Sequence, residues 1–286
     1  MTGFATVNFV LVALASALAV AALMVGTAYL ARRVGKVSIV DVTWGLAFVT
    51  ISWVALALGT GDLARRVLLA VLVTIWGARL AWHIGRRGHG APEDPRYVAL
   101  LADAPGGDIH RYAVLRVFVP QGAIAWFVGL PVQVSASVTG GDGTGGTGGT
   151  GSLGWLGVIG WLGVAVWIVG FAFEAVGDAQ LRRFKADPAN RGRVMDQGLW
   201  AWTRHPNYFG DSLVAWGGWL IAAEHWPGVL TVLSPVLMTW LLVRVSGARL
   251  LEQTMSTRPG YADYIARTSG FLPRPPRPPR QRPSVK

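Results

Sequence analysis

"TRHPNYFGDSLVAWGGWLIA", residues 203–222, joins two halves of opposite character. The second half is apolar enough for a bilayer. The first packs Arg204, His205, Asn207, Tyr208 and Asp211 into about two helical turns. Such groups near lipid cost several kcal/mol unless they are paired or bind something. The stretch therefore reads as a membrane helix with a polar cluster at its mouth. Pro206 suits the first helical position, where its missing N–H is not needed. The free N–H groups and partial positive charge at that helix start suit a phosphate or carboxylate. Arg204 and His205 add charge-assisted bonds, and Asn207 both donates and accepts. A helix cap with an interfacial Arg and Tyr accounts for part of this set but not for all five residues together.

Composition agrees with a membrane setting. Of 286 residues, 52% are hydrophobic and only 14% charged, against roughly 25% charged in a soluble domain. Mean hydropathy is +0.42. Fourteen tryptophans fit many membrane interfaces. There is no cysteine, which excludes disulfides and thiolate metal sites. Phe4 to Leu30 is too long for the roughly 7–15-residue core of a signal peptide and has no basic region before it, so it reads as a spanning helix.

A crossing needs about 20 apolar residues. Seven stretches approach that length: 4–30, 38–58, 64–85, 113–138, 153–177, 207–224 and 227–247. The predicted fold is all-α, a polytopic protein of about seven transmembrane helices. Arginine and lysine then assign the loops. Arg32, Arg33 and Lys36 follow the first span, Arg86, Arg87, Arg96 and Arg111 the third, and Arg182 to Arg204 the fifth. The tail carries Arg258 to Lys286, whereas 139–152 has no basic residue. Only Arg65 and Arg66 break the pattern. The N-terminus is expected outside and the C-terminus in the cytoplasm. The net charge of +11 is absorbed by this topology and by anionic lipid. No aromatic-basic module points to nucleic acid.

Residues 1–273 read as a single transmembrane domain. Within it, "TGGDGTGGTGGTGS" at 139–152 reads as a flexible loop. The tail at 274–286 is basic, proline-rich and expected to be disordered.

Polar residues inside the spans are candidates for function. Asp41 begins the second span, with Trp44 one turn later; on sequence alone an interfacial capping Asp beside an interfacial Trp is the leading account of the pair, ahead of a functional one. Trp76, Arg79 and His83 share one face of the third. Glu174, Asp178 and Arg182 are spaced by four on the fifth. Two accounts fit them: a salt-bridged stripe, or a polar wall lining a cofactor cavity. After the seventh span, Arg249 and Glu252, then Tyr261, Tyr264 and Arg267, recur at spacings of three. They suit a juxtamembrane helix that stacks on a nucleotide or anchors to headgroups.

"GLWAWTRHPNYFGD" (198–211) and "RPGYADYIARTSGFLP" (258–273) together resemble the C-terminal region of the steroid 5α-reductase superfamily. "DVTWGLAF", "EDPRY", "LPVQV" and "FEAVGDAQLRRFKADPANRGRVMDQGLW" upstream are similar to its bacterial branch. The resemblance covers roughly residues 38 to 273. It implies seven helices in the bacterial cytoplasmic (inner) membrane. It implies an NADPH-dependent reductase of a carbon–carbon double bond in a lipid-like substrate, such as a steroid, sterol or isoprenoid enone. By it, Asp178, Arg182, Lys185 and Asn207 fall where the family grips the nucleotide. Arg249, Tyr261 and Tyr264 fall near the C-terminal cofactor contacts. Steroid reductases polarise the carbonyl with a Gln and a Glu on the second helix and a Tyr on the third. Here those helices offer Asp41, Trp76 and Arg79, and no tyrosine.

Two other readings stand. "RHPNYFG" also resembles the motif of isoprenylcysteine-type membrane methyltransferases, which bind S-adenosylmethionine; their paired glutamates correspond here to Glu252 and Gln253. A non-catalytic lipid-binding membrane protein is the third, and it leaves Glu174 and Asp178 without a purpose. The cationic set from Arg182 to Arg204 suits the phosphates of NADPH better than a sulfonium.

Overall fold

The computed structural model describes residues 3–139, 156–245, 252 and 255–277. Arg249, nearly all of the Gly/Thr stretch and the last nine residues lie outside them. The described chain is mainly helical. Its β-structure is one antiparallel pair of two-residue strands, Gly3–Phe4 with Val138–Thr139, and an isolated bridge between Thr203 and Ser269.

Helix α1 spans Thr6–Val34, α2 Ile39–Leu58 and α3 Leu63–Gly88. Helix α1 stops at Gly35, whose φ of 73° is left-handed and lets the N–H groups of Gly35 and Lys36 return to the Ala31 carbonyl. Asp62 caps α3, accepting from the Arg65 N–H at 2.8 Å. A short α4, Pro95–Ala102, is capped by Asp94 with Pro95 in its first turn.

Among the described residues, five helical segments are long and apolar enough to cross a membrane: Thr6–Val34, Ile39–Leu58, Leu63–Gly88, Val158–Ala186 and Gly228–Val245. Two of the seven expected crossings fall short of that test. The expected 113–138 span is divided into α5 (Ile109–Ala113), a π turn (Val114–Phe118), α6 (Val119–Val128) and α7 (Leu130–Ser135). Proline is the physical reason. Pro120 cannot donate to the residue four back, and the π turn immediately before it re-registers the ladder. Pro131 leaves the Phe127 carbonyl without its usual donor, and the Ser234 hydroxyl supplies one at 3.0 Å. The expected sixth span is a continuous helix, but Asn207, Tyr208 and Asp211 make its first half too polar. On the helices that pass, large apolar side chains stay exposed, among them Leu18 at 72%. Such a surface suits lipid, not water.

The chain forms two compact units, Met1–Trp161 with Trp219–Ser234, and Leu162–Gly218 with Pro235–Lys286. In the first, α2 packs chiefly on α3. The two backbones touch at Gly45 and Gly77: a Cβ on either would lie 2.5–2.6 Å from the other's carbonyl oxygen. At the far end of α2, Asn8 ties three segments together. It donates to the Leu58 carbonyl and accepts from the Thr60 N–H and the Ser137 hydroxyl.

The second unit is built on α8 (Val158–Ala186) and α10 (Pro206–Ala223). They meet where Gly170 faces Gly210. Further elements are α9 (Leu199–Trp202), α11 (Leu233–Trp240) with a π turn after it, and α12 (Tyr261–Arg267).

Candidate functional site

Two polar clusters stand out, one in each unit. The first gathers on Asp41, in the first turn of α2. The loop after α3 folds back over this helix start. Lys36 donates to the Ala91 carbonyl, and Glu93 accepts from the N–H groups of Val37 and Ser38. Burial pushes the Glu93 carboxyl up, but bonds from Ser38, Asp94 and Val37 outweigh it and hold the group below its usual range. That docking delivers Arg96 and Tyr97 to Asp41. The Tyr97 phenol donates to Asp41 Oδ1 at 2.6 Å, and Arg96 Nη2 pairs with Oδ2 at 3.0 Å. Arg96 is held in turn by both Asp94 oxygens. From α6, Gln121 donates to the Tyr97 oxygen at 3.1 Å.

The electrostatics follow from this packing. Burial first, and then the neighbouring Asp41 carboxylate, raise the pKa of Tyr97 well above the ordinary phenol range. The bonds that Arg96 donates to the Asp94 carboxylate raise the pKa of Arg96. Tyr97 is therefore a neutral hydrogen-bond donor, and Asp41 accepts from two donors. The other residues expected here lie on α3. Trp76 is buried, edge-on to Phe48 at 5.3 Å, and Phe48 is edge-on to Trp44 at the same separation. Arg79 is half-buried three residues further along. Sequence reasoning passed over Arg96, Tyr97 and Gln121. A signal existed: "EDPRY" is a capped helix start on the loop that the arginine pattern assigns to the same membrane face as Asp41.

The second cluster gathers on α8 and the start of α10. Close approach at Gly170 and Gly210 sets Asp178 beside Asn207, whose Nδ2 donates to Asp178 Oδ1 at 3.2 Å. Glu174, Asp178 and Asp211 are all buried. Arg182 and Lys185 are exposed on the last turns of α8. Glu252 joins the motif to the C-terminal segment. It accepts from Arg204 Nε at 2.8 Å and contacts His205 Nε2 at 3.1 Å. His205 stacks on Tyr208 at 5.6 Å.

Arg204 also donates to the Thr268 carbonyl at 2.8 Å, and its backbone N–H bonds Ser269. The Tyr264 phenol donates to the Trp200 carbonyl at 2.7 Å, with Tyr261 tilted against it. Arg204 and Tyr264 thus fasten α12 to the residues before α10. Of the expected set, the structure joins Asp178 to Asn207, and Arg204 and His205 to Glu252, with Tyr208 stacked on His205. Arg249 lies outside the described residues.

The bond with His205, opposed by burial and reinforced by Arg204, pulls Glu252 down to about 2. A carboxylate whose folded pKa is depressed stabilises the fold above its unfolded value, near 4.3, and loses that contribution as pH falls through about 2. With 28% of the side chain exposed, the contribution is at most about 2 kcal/mol. The melting temperature should therefore fall between pH 5 and pH 2.5, and Glu252→Gln should flatten that slope. An unchanged slope in the variant means that Glu252 is not the acid-sensitive group.

The family model described as protein of unknown function (DUF1295) matches residues 28–268. No curated protein and no solved structure matches the chain.

Proposed function

The chain belongs to the DUF1295 family, and from that premise we propose that it is a membrane-embedded, NADPH-dependent reductase of the steroid 5α-reductase type. It saturates a carbon–carbon double bond conjugated to a carbonyl in a lipid-like molecule, a steroid, sterol or isoprenoid enone. The observation that carries this reading is Tyr97, a buried phenol held between the Asp41 carboxylate and the Gln121 amide. Such a donor favours a step in which negative charge builds on a carbonyl oxygen, as in conjugate reduction, over methyl transfer to a carboxylate, in which that charge is lost. The reading takes the five long apolar helices, the 109–135 run and α10 as seven crossings of the bacterial inner membrane. The arginine distribution supports an outside N-terminus and a cytoplasmic C-terminus.

The donor set of the second unit fits the cofactor. Buried Glu174, Asp178 and Asp211 suit groups that donate hydrogen bonds, such as ribose hydroxyls and a carboxamide, with Asn207 beside them. They repel phosphates. Exposed Arg182, Arg183, Lys185, Arg191 and Arg193 suit phosphates instead. NADPH, when bound, supplies a hydride to the β-carbon.

The residues of the first unit handle the charge that develops on the substrate oxygen. A carbonyl reaching Tyr97 takes over the hydrogen bond that Asp41 now accepts from the phenol, while Asp41 keeps Arg96 as its partner. Donation from Gln121 into the phenol oxygen polarises its O–H further. A donor set in advance for the enolate is worth several kcal/mol, because it strengthens as charge accumulates. Tyr97 does not ionise beside Asp41, so the α-carbon takes its proton from water.

Purified protein in detergent should gain thermal stability from NADPH, less from NADH and none from S-adenosylmethionine. At a hundredfold excess over Kd the gain approaches about 2.7 kcal/mol. Stabilisation by S-adenosylmethionine alone moves the protein to the methyltransferases. Stabilisation by none of the three leaves the lipid-binding reading.

A further inference from the structure

Ser38, Ile39, Val40 and Asp41 open α2 with the spacing of a capping box. In that motif the acidic fourth residue turns back to the N–H of the first, which has no partner inside the helix. Among the described residues Asp41 bonds elsewhere: its Oδ1 accepts from Tyr97 and its Oδ2 pairs with Arg96. The Ser38 N–H donates to Glu93 Oε1 at 3.1 Å instead, and the Val37 N–H donates to Oε2. The Ser38 side chain makes no capping bond either. A carboxylate 55 residues away in sequence thus fills the place that the motif reserves for Asp41.

Glu93 belongs to the strap of residues 89–94 that joins α3 to α4. The turn between α1 and α2 holds this strap a second time. Lys36 Nζ donates to the Ala91 carbonyl and reaches the Gly88 carbonyl at 3.4 Å. From Glu93 onward the chain is stiff. The Asp94 N–H donates to Glu93 Oε1 at 2.9 Å, and Asp94 Oδ1 accepts the Arg96 N–H at 2.9 Å. Pro95 has a fixed φ, and the Tyr97 N–H returns to the Asp94 carbonyl at 2.9 Å. The position of Glu93 is therefore passed to Tyr97 with little slack. Beyond this line the phenol is held by Asp41 itself and by Gln121. A hydroxyl can bond a carboxylate over a range of angles, so the depth and direction of the ring are set by its backbone.

We propose that Glu93 is a positioning residue for the Asp41–Tyr97 pair, with Lys36 as its second anchor. It caps α2 in place of Asp41, which leaves both Asp41 oxygens to Tyr97 and Arg96. It also fixes the strap at the depth from which Tyr97 meets Asp41. The value of this to catalysis rests on Tyr97 being the carbonyl donor of the reductase reading; the hold on Tyr97 does not. The role requires two acceptor oxygens, since each Glu93 oxygen takes a backbone N–H. Glutamine has the same shape but only one acceptor end, so its NH₂ group would face a backbone N–H. The Ser38 N–H would then compete for Asp41, the acceptor at the motif's own spacing.

The test follows the phenol directly. The full chain in nanodiscs, isotope-labelled at the hydroxyl-bearing ring carbon of its 6 tyrosines, is read by NMR, and Tyr97→Phe identifies the Tyr97 line. Asp41→Asn marks where that line falls when the carboxylate is gone. In Glu93→Gln the line should move toward the Asp41→Asn position. Turnover of an enone should fall about 10²-fold in kcat, with stabilisation by NADPH kept. A Tyr97 line left in place, with only the melting temperature lowered, makes Glu93 a helix cap alone and overturns the proposal. If Glu93→Gln does not fold, Lys36→Met frees the other anchor of the strap and is read in the same way: a shifted line supports the positioning role, and an unmoved one overturns it. A wild-type protein that reduces no enone sinks the reductase reading, and the Tyr97 line still decides whether Glu93 positions the phenol.

Discussion

Tyr97→Phe should lower turnover of an enone by about 10²–10³-fold while leaving stabilisation by NADPH unchanged. The ring is buried, and phenylalanine keeps its packing, so the variant removes only the hydroxyl. That hydroxyl is the donor aimed by Asp41 and polarised by Gln121. Burial and the Asp41 carboxylate hold the phenol protonated beyond its ordinary range. Turnover should therefore show no loss from phenol ionisation up to about pH 10. Asp41→Asn should reduce turnover as well, since it loses the ion pair with Arg96 and the aim of the phenol. The measurement is single-turnover NADPH oxidation with a panel of steroid and isoprenoid enones. Wild-type rates in Tyr97→Phe remove the phenol from the mechanism and leave Arg96 and Gln121 as the donors to test.

Gly210→Ala should destabilise the protein by about 3 kcal/mol and weaken NADPH binding together. The added Cβ would lie 2.4 Å from the Gly170 carbonyl oxygen and 2.5 Å from the Glu174 nitrogen. Both are backbone atoms, so relief requires α8 and α10 to part. Membrane helices that associate through small residues depend on that close approach. Asn207 and Asp178 bond across the same two helices, so parting them lengthens the 3.2 Å contact. Gly218→Ala is the control on the same helix, because nothing lies within 4 Å of its Cβ position. Equal melting temperatures for the two variants would show that the helix contact does not govern this unit.

Sequence alone determined the membrane class and the helical class, and it marked 203–211 as a polar cluster at the start of a helix. Those features are written locally. Apolar run length marks a crossing, and charges within one or two helical turns cannot be placed in lipid without a purpose. The Asp178–Asn207 pair was legible in part, since both residues stood out within their own helices. The tertiary structure decided the rest. Helical periodicity relates residues three or four apart; it is silent about Tyr97 meeting Asp41 across 56 residues of chain. That meeting depends on Glu93 capping a helix to which it does not belong. Proline decided that 109–135 would be divided, because its missing N–H changes the ladder in a run that is otherwise apolar enough to look continuous. Arg204 reads in sequence as a free cation, yet folding directs its donors to Glu252 and the Thr268 carbonyl. Arg65 reads as an exception to a charge rule, and folding buries it with Nη2 on the Val138 carbonyl. In each case composition sets what a side chain can do, and only the folded chain sets which partner reaches it first.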